Sequence, residues 1–385
     1  MKILYILKSL EKGGAERFVI DLCLELNKRP EIEYKLMILQ EGNDFEHLST
    51  EIPFIQMPGP FIPSFTKKTN FDTNPYKKIL EEFKPDIIHS HLFRSELYTS
   101  THVLKDTVYV VHGHDNMKEF RNFDLKTVLQ KSLLTNFLEK YILLRDKYRK
   151  NKRTYFIANS PHTLTYFKNS VPAFFKNNVR LIEYGFNFNR FFNPDRGALD
   201  KTKKLKLINV GRFAVYKNQK LLIEVARNMK AKGIEFEMNL LGVGEQLPAI
   251  QKMIDTYHLN NEVFLRGNIN DVENWLNDSA IYLHSAYYEP FGLVLLEAMA
   301  SGLPCLILNG KGNAYVVKND FNGYIFDQED PELFIEKITT LIQDKDLYGS
   351  LSKNAQNFAK TYAIEAKTDE LLEFYKSVTK GDLTN

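Results

Sequence analysis

The chain has 385 residues, 44% of them hydrophobic and 26% charged, the balance of an ordinary soluble globular protein. That length is comfortable for two domains, and no stretch reaches the run of about 18 apolar residues that a membrane span needs, so no membrane-spanning helix is expected. The net charge of +3 hides an asymmetry: residues 1–190 hold 29 basic against 22 acidic side chains, and residues 191–385 hold 22 against 26. A basic first half suits an anionic acceptor or membrane surface, and equally describes a scatter of solvated lysines.

Met1 to Lys8 carries a signal-like lysine, but Lys8, Glu11 and Lys12 cut its apolar core short, so it reads as a first strand, Ile3 to Leu7. Glu11 to Arg17 follows as a loop and helix start, with Ala15, Val19, Leu22, Cys23 and Leu26 at helical spacing. Gly13 and Gly14 let the backbone approach a ligand or simply turn tightly. Without a G-x-G-x-x-G, a dinucleotide fingerprint is not supported. The two cysteines, Cys23 and Cys305, suit a reducing cytoplasm and offer no disulfide or metal framework.

Further strands are predicted at Tyr34 to Leu39, Pro53 to Met57, Asp86 to His89, Val108 to Val111, Tyr155 to Ala158 and Val179 to Ile182. Helical segments alternate with them, the pattern of a doubly wound parallel sheet whose site lies at the carboxyl ends of its strands. Two of those ends carry histidine pairs, His89 with His91 and His112 with His114, followed by Asp115. Without acidic or thiolate company the four are not expected to form a structural metal site. Gly59 to Phe71 is a Pro- and Lys-containing loop with three phenylalanines, suited to a lipid interface or to covering an acceptor. Asp124 to Tyr155 reads as a long helical stretch with nine basic and three acidic residues. It fits anionic lipid, or a solvated helix with Leu133, Leu134, Phe137, Leu138 and Tyr141 packed inward.

Polar residues from Asn193 to Lys206 read as a linker, and a second sheet starts at Leu205. After the strand Leu207 to Val210, Arg212 and Lys217 stand on a loop before a helix from Gln219 to Met229, two positive charges spaced to reach one diphosphate. Leu240 to Glu245 is a Gly-rich strand end that includes Gly242, and Val263 to Gly267 follows. Ala280 to His284 then reads as a strand, Ser285 to Gly292 as a loop and Leu293 to Ala300 as a buried helix. The N–H groups from about Phe291 and Gly292 to Leu293 and Val294 would be that helix's unpaired first-turn donors, at the positive end of its dipole. With Glu289 in the loop and Glu297 about one turn into the helix, this suits a phosphorylated ligand that also carries hydroxyls, such as a nucleotide sugar. The two glutamates would also serve as a loop carboxylate and a solvated helix face. From Pro331 onward the chain reads as helical, with a last helix from Ala363 to Val378.

Glu289 and Glu297, with seven residues between them in S-A-Y-Y-E-P-F-G-L-V-L-L-E-A-M-A-S-G-L-P, resemble the E-x7-E motif of the retaining glycosyltransferases of family 4. Other segments are similar too: G-G-A-E-R at 13–17, V-V-H-G-H-D at 110–115, G-R-x-x-x-x-K at 211–217 and the Gly242 loop. Tyr184 and Asn187 replace the usual Asn and Asp of the segment leading out of the first domain, and G-K-G-N at 310–313 departs from the usual G-G. The resemblance covers almost the whole chain. It implies an α/β protein of GT-B fold, with two Rossmann-like doubly wound parallel-sheet domains facing each other across a cleft. Residues 1–190 would bind the acceptor, residues 191–362 the nucleotide sugar, and residues 363–385 would form a helix crossing back to the first domain.

The roles it implies are specific. Glu297 would bind ribose hydroxyls, and Arg212, Lys217 and the amides of Phe291 to Val294 the diphosphate. Glu289 would hold a hydroxyl of the transferred sugar, His112 would hydrogen-bond that sugar, and Gly14 and Gly242 would lie beside the donor. Gly13, Arg17, His114 and Asp115 are weaker acceptor candidates. No cofactor and no metal are implied, and nucleic acid is not expected. The expected setting is the cytoplasm, with peripheral contact at the inner face of an anionic membrane. A nucleotide-sugar epimerase of the same fold would need acid/base carboxylates and no acceptor site, and the E-x7-E context argues against it. A non-catalytic nucleotide-sugar-binding partner is disfavoured by Arg212, Lys217, Glu289 and Glu297 standing together.

Overall fold

The computed structural model describes residues 1–11, 13–57, 74–117, 134, 144–197 and 204–381. The chain divides into two compact units, Met1–Gly185 with Ile364–Asn385, and Phe186–Ala363. The loop at 59–71 and most of the basic stretch from 124, including Leu133, Phe137, Leu138 and Tyr141, lie outside the described residues. Among those described, no helix is long and apolar enough to cross a membrane.

In the first unit short apolar runs form β1 (Lys2–Leu7), β2 (Glu33–Ile38), β3 (Phe54–Gln56), β4 (Ile87–His91), β5 (Val108–Gly113), β6 (Thr154–Ala158) and β7 (Val179–Leu181). They pair in parallel in the order β3-β2-β1-β4-β5-β6-β7. Every residue of β4 and β5 is buried. Helices cover both faces of such a sheet, so its central strands are buried along their whole length, apolar at first and ending in histidines in β4 and β5. Strand order reverses between β1 and β4, where the chains leaving the sheet diverge and open a crevice for a ligand. The helix Gly14–Leu26 buries Phe18, Val19, Leu22, Cys23 and Leu26.

The C-terminal helix Ile364–Lys380 belongs to this same unit. It buries Leu371, Leu372, Tyr375 and Val378, side chains worth roughly 1.5–3 kcal/mol each when removed from water. Tyr375 Oη lies 3.3 Å from Tyr5 Oη, Arg29 pairs with Asp369 at 2.9 Å, and the Arg153 guanidinium donates to the carbonyls of Val378 and Thr379.

The basic run at 145–153 is only partly the solvated or lipid-facing surface the sequence suggests. Lys147, on the helix Arg145–Lys150, is fully buried, with Nζ 2.6 Å from Glu96 Oε1 and 2.6 Å from Thr99 Oγ1. Tyr148 also donates to Glu96 Oε1 and Ser90 to Oε2, so the buried carboxylate is satisfied on both oxygens. The helix stops at Lys150, and Thr154 begins β6.

The second unit holds β8 (Leu205–Val210), β9 (Phe236–Leu241), β10 (Val263–Gly267), β11 (Ile281–His284), β12 (Cys305–Leu308) and β13 (Gly323–Phe326). Their parallel order is β10-β9-β8-β11-β12-β13, with its own reversal between β8 and β11. The helix Gln219–Ala231 lays Leu222, Ile223, Val225, Ala226 and Met229 on this sheet. Asp330 and Asp344 cap the helices Pro331–Gln343 and Lys345–Lys360 by accepting from first-turn N–H groups. The unit begins at Phe186, ahead of the boundary at 190 expected from sequence. Phe188 and Phe191, on a short helix capped by Asn187, are buried there, and Phe191 O accepts from Ser301.

Candidate functional site

The loops that follow β8 and β11, the strands flanking the second reversal, are stitched together. Ser285 Oγ donates to Lys217 O at 2.9 Å, and Tyr287 N donates to Tyr216 O at 3.1 Å. The loop after β12 closes on the same place, where Glu289 N donates to Gly310 O at 2.8 Å and Asn313 N to Glu289 O at 3.1 Å. Asn313 is itself buried, its Oδ1 accepting from Gly310 N and its Nδ2 donating to Leu308 O. Departing from the paired glycines, G-K-G-N thus supplies a side chain that fixes its own loop, whose backbone in turn pairs with Glu289.

Lys217 and Glu289 meet at the centre of this arrangement. Lys217 Nζ donates to Glu289 Oε2, with side chains 17% and 11% exposed. Burial works against the carboxylate's charge, but the Lys217 ammonium and the imidazole of His284 outweigh it and bring the Glu289 pKa down from 4.5 to about 2. Glu289 is therefore ionised at neutral pH and faces the Lys217 ammonium at the carboxyl ends of two adjacent strands.

The helix Leu293–Ala300 starts beside them. Gly292 stands before its first turn at φ 92°, a left-handed conformation that L side chains rarely adopt, and no side chain caps the helix. Its first-turn N–H groups, of Leu293 and Val294, therefore stand at the positive end of the dipole without a protein cap. Phe291 is buried against Tyr362, their rings 6.1 Å apart. Glu297 is half-buried one turn on, its carbonyl accepting from Ser301. Arg212 is 70% exposed and lies 3.6 Å from Glu245, while its carbonyl accepts from Gln219. Gly242, at φ 134°, passes so close to that loop that a Cβ would stand 2.1 Å from Gly211 O. The second unit thus supplies Arg212 and Lys217 from the loop after β8, Gly242 from the loop after β9, and Glu289, Gly292 and Glu297 from the loop after β11 and the helix it runs into.

His284 was not foreseen as a site residue. Its Nε2 lies 3.2 Å from Glu289 Oε2, and the ring is 2% exposed. The only signal in the sequence was its place as the last residue of a strand beside the loop that carries Glu289.

In the first unit, Gly13 precedes the helix Gly14–Leu26 in extended backbone that any residue adopts, and its carbonyl accepts from Arg17 N. Arg17 turns along its own helix and pairs with Asp21 at 2.9 Å. The strand ends β4 and β5 bring His89, His91, His112 and His114 into one buried cluster with Phe18, Tyr5 and Tyr184. His114 spends one nitrogen on Tyr184 Oη and the other on His91 Nδ1 at 2.8 Å, leaving none for an acceptor. His89 Nδ1 meets Tyr375 Oη. His112 is completely buried with no hydrogen-bond partner on either nitrogen, and burial pulls its pKa down to about 3. Asp115 is exposed.

Nitrogens of His89, His91 and His112 lie within 4.8 Å of one another. Their rings, however, stack: His89 on His91 at 22° and on His112 at 10°. An imidazole binds a metal in its own plane, and near-parallel stacked rings do not aim lone pairs at one point, so this arrangement is not a metal centre as it stands.

Two family models match the chain, Glycosyltransferase Family 4 over residues 12–190 and Glycosyl transferases group 1 over residues 192–358. The UDP-Gal:alpha-D-GlcNAc-diphosphoundecaprenol alpha-1,3-galactosyltransferase of Escherichia coli is 29% identical over 170 residues, 43% of this chain and 44% of the relative. The poly(ribitol-phosphate) alpha-N-acetylglucosaminyltransferase of Staphylococcus aureus is 28% identical over 171 residues, 44% of this chain and 35% of the relative. The chain thus spans less than half the length of each of these two relatives. Among solved structures, Anabaena HepE in complex with UDP and glucose covers 98% of this chain and 100% of its own, with a TM-score of 0.75 at 19% identity, a likeness of fold. Matched by one model across its first half and by the other across its second, the chain belongs to the family 4 glycosyltransferases of GT-B fold.

Proposed function

We propose that the chain is a retaining glycosyltransferase. It would move a sugar from a nucleotide-diphosphate sugar, UDP-linked first and GDP-linked next, to a hydroxyl of a glycan or lipid-linked acceptor in bacterial surface polysaccharide or glycoconjugate synthesis. The observation that carries this reading is the ionised Lys217–Glu289 pair beside the uncapped start of the Leu293–Ala300 helix. HepE has been solved with UDP and with UDP-glucose, which supports the donor class, and the galactosyltransferase and N-acetylglucosaminyltransferase relatives support the acceptor class.

In this reading Arg212, Lys217 and the amides around Phe291, Gly292, Leu293 and Val294 hold the diphosphate, and Glu297 holds the ribose. Glu289 takes a hydroxyl of the sugar, near the carbon where positive charge develops, and His112 hydrogen-bonds the sugar. The bond from the anomeric carbon to the diphosphate oxygen breaks with its electron pair on the phosphate, whose charge the cations and amides neutralise. The acceptor oxygen bonds to the same carbon from the same face, and its proton passes to the departing phosphate. This chemistry is metal-independent. The basic first unit would meet an anionic acceptor at the cytoplasmic face of the membrane, and loss of binding to anionic vesicles at low salt would remove that part.

The test is a thermal-shift and product screen of UDP-, GDP-, ADP- and TDP-sugars beside Glu297→Ala. A nucleotide at about 100 times its dissociation constant adds near 2.7 kcal/mol of stability. Stabilisation by one nucleotide class, weakened by Glu297→Ala and accompanied by nucleoside diphosphate release, is the expected result. No stabilisation by any of them refutes the donor site.

A further inference from the structure

The Lys217–Glu289 pair has a third member. His284 ends β11, where backbone pairing fixes His284 opposite Ile307 of β12 and Asn209 donates to Leu283 O at 2.7 Å. Its ring stacks on Tyr282 at 24°, so it is rooted on the sheet and not on a loop. Nε2 approaches Glu289 Oε2, the same oxygen that accepts from Lys217, at 3.2 Å and off line for a straight hydrogen bond.

A carboxylate only accepts, so the proton must sit on Nε2 for this contact to be favourable. Burial holds the ring neutral, and Lys217 nearby opposes a second positive charge, although Glu289 favours one. The ring therefore sets an N–H dipole 3.2 Å from the carboxylate, and neither Nε2 nor Nδ1 makes a straight hydrogen bond. Both contacts fall on Oε2, which fixes the carboxylate's rotation and leaves Oε1 turned away from the pair.

We infer that His284 is a positioning residue of the donor site, whose imidazole holds Glu289 Oε2 against Lys217 so that Oε1 faces the sugar hydroxyl. The inference rests on the donor reading above and adds to it the group that aims Glu289. His284 acts through Glu289 and need not touch the ligand. The titratable groups around Glu289 are Lys217 from the loop after β8 and His284 and Tyr282 of β11, with Glu297 also acting on Tyr282.

Two variants separate aiming from packing. His284→Phe keeps a ring against Tyr282 and removes the N–H, while His284→Gln places an amide N–H at similar reach. Wild type and both variants are titrated with UDP by calorimetry and assayed for UDP-glucose hydrolysis from about pH 4 to about pH 8. In His284→Phe, UDP affinity stays within about threefold of wild type, while kcat falls about 10- to 100-fold at nearly constant KM. Wild type shows no limb from Glu289 within this window, whereas in His284→Phe an acid limb moves up toward pH 4, because Glu289 loses one of the groups that favour its ionised form, and His284→Gln recovers most of the rate.

A His284→Phe protein with wild-type rate and pH profile overturns the inference. So does one whose UDP affinity, rate and melting temperature fall together, which marks a packing role, or a folded His284→Gln protein without recovery. Wild type that neither binds UDP nor hydrolyses UDP-glucose overturns the donor reading itself, and this inference with it.

Discussion

Replacing Lys217 with methionine keeps most of the side-chain stem and removes the charge, leaving Glu289 at 11% exposure without its cation. Glu289 titrates near 2 in the folded protein against an ordinary 4.5. At 1.36 kcal/mol per pKa unit that difference is worth about 3 kcal/mol, similar to the roughly 3–5 kcal/mol lost when one partner of a buried pair is removed. Because the folded pKa is depressed, this stability is present above the unfolded pKa near 4.5 and is lost as pH falls toward about 2. Lys217→Met should therefore destabilise the second unit by about 3 kcal/mol at neutral pH, and lowering the pH from about 4.5 toward about 2 should narrow its gap to wild type. The assay is urea unfolding followed by a probe in the second unit, such as Trp275, the chain's single tryptophan, together with Glu289→Gln and the double variant. The double variant should recover at least about 1 kcal/mol over the sum of the singles, the non-additivity expected of a contacting pair. Additive effects, or a single-variant cost below about 1 kcal/mol, would refute the claim that the pair is ionised and coupled.

In the first unit the buried histidines set a second pH dependence. His89, His91, His112 and His114 all have folded pKa values below the ordinary 6.5, so the unfolded chain takes up more protons below that pH and stability falls with acid. Melting temperatures of the first unit should drop steadily from about pH 7 to about pH 5, and His112→Phe should flatten the slope. Lys147→Met, which strands the Glu96 carboxylate in a fully buried setting, should cost about 3–5 kcal/mol by chemical denaturation, and Glu96→Gln combined with it should restore part of that. Gly242→Ala, whose methyl would stand 2.1 Å from Gly211 O at a left-handed φ, should lower the second unit's melting temperature and weaken nucleotide binding together. Arg212→Ala, at a side chain 70% exposed, should instead leave the melting temperature unchanged and weaken UDP binding about tenfold by calorimetry.

Local patterning determined much of this protein from the sequence alone. The apolar run Leu293–Leu296 after Pro290 and Gly292 predicts a buried helix after a turn, and the helix spans Leu293–Ala300 as read. The strand runs were equally legible, because strands buried on both faces are mostly apolar, as β4 and β5 are before the histidines at their carboxyl ends. The charged loop residues could be picked out as well, since Arg212, Lys217, Glu289 and Glu297 stand where strands give way to helices.

Which of these groups touch was decided by the tertiary structure. Lys217 and Glu289 are far apart in the chain and meet because β8 and β11 are neighbours at the reversal of strand order, a fact of topology that no local pattern encodes. The same pairing brings in His284, which in sequence is merely the end of an apolar strand. Tertiary packing also turned Lys147 inward within a basic run, because Glu96, from another helix, waits there to neutralise it. It likewise closed both nitrogens of His114 onto neighbours while leaving those of His112 unpaired. Sequence spacing states where a side chain can be, but the partner that sets its charge and aim arrives through the sheet.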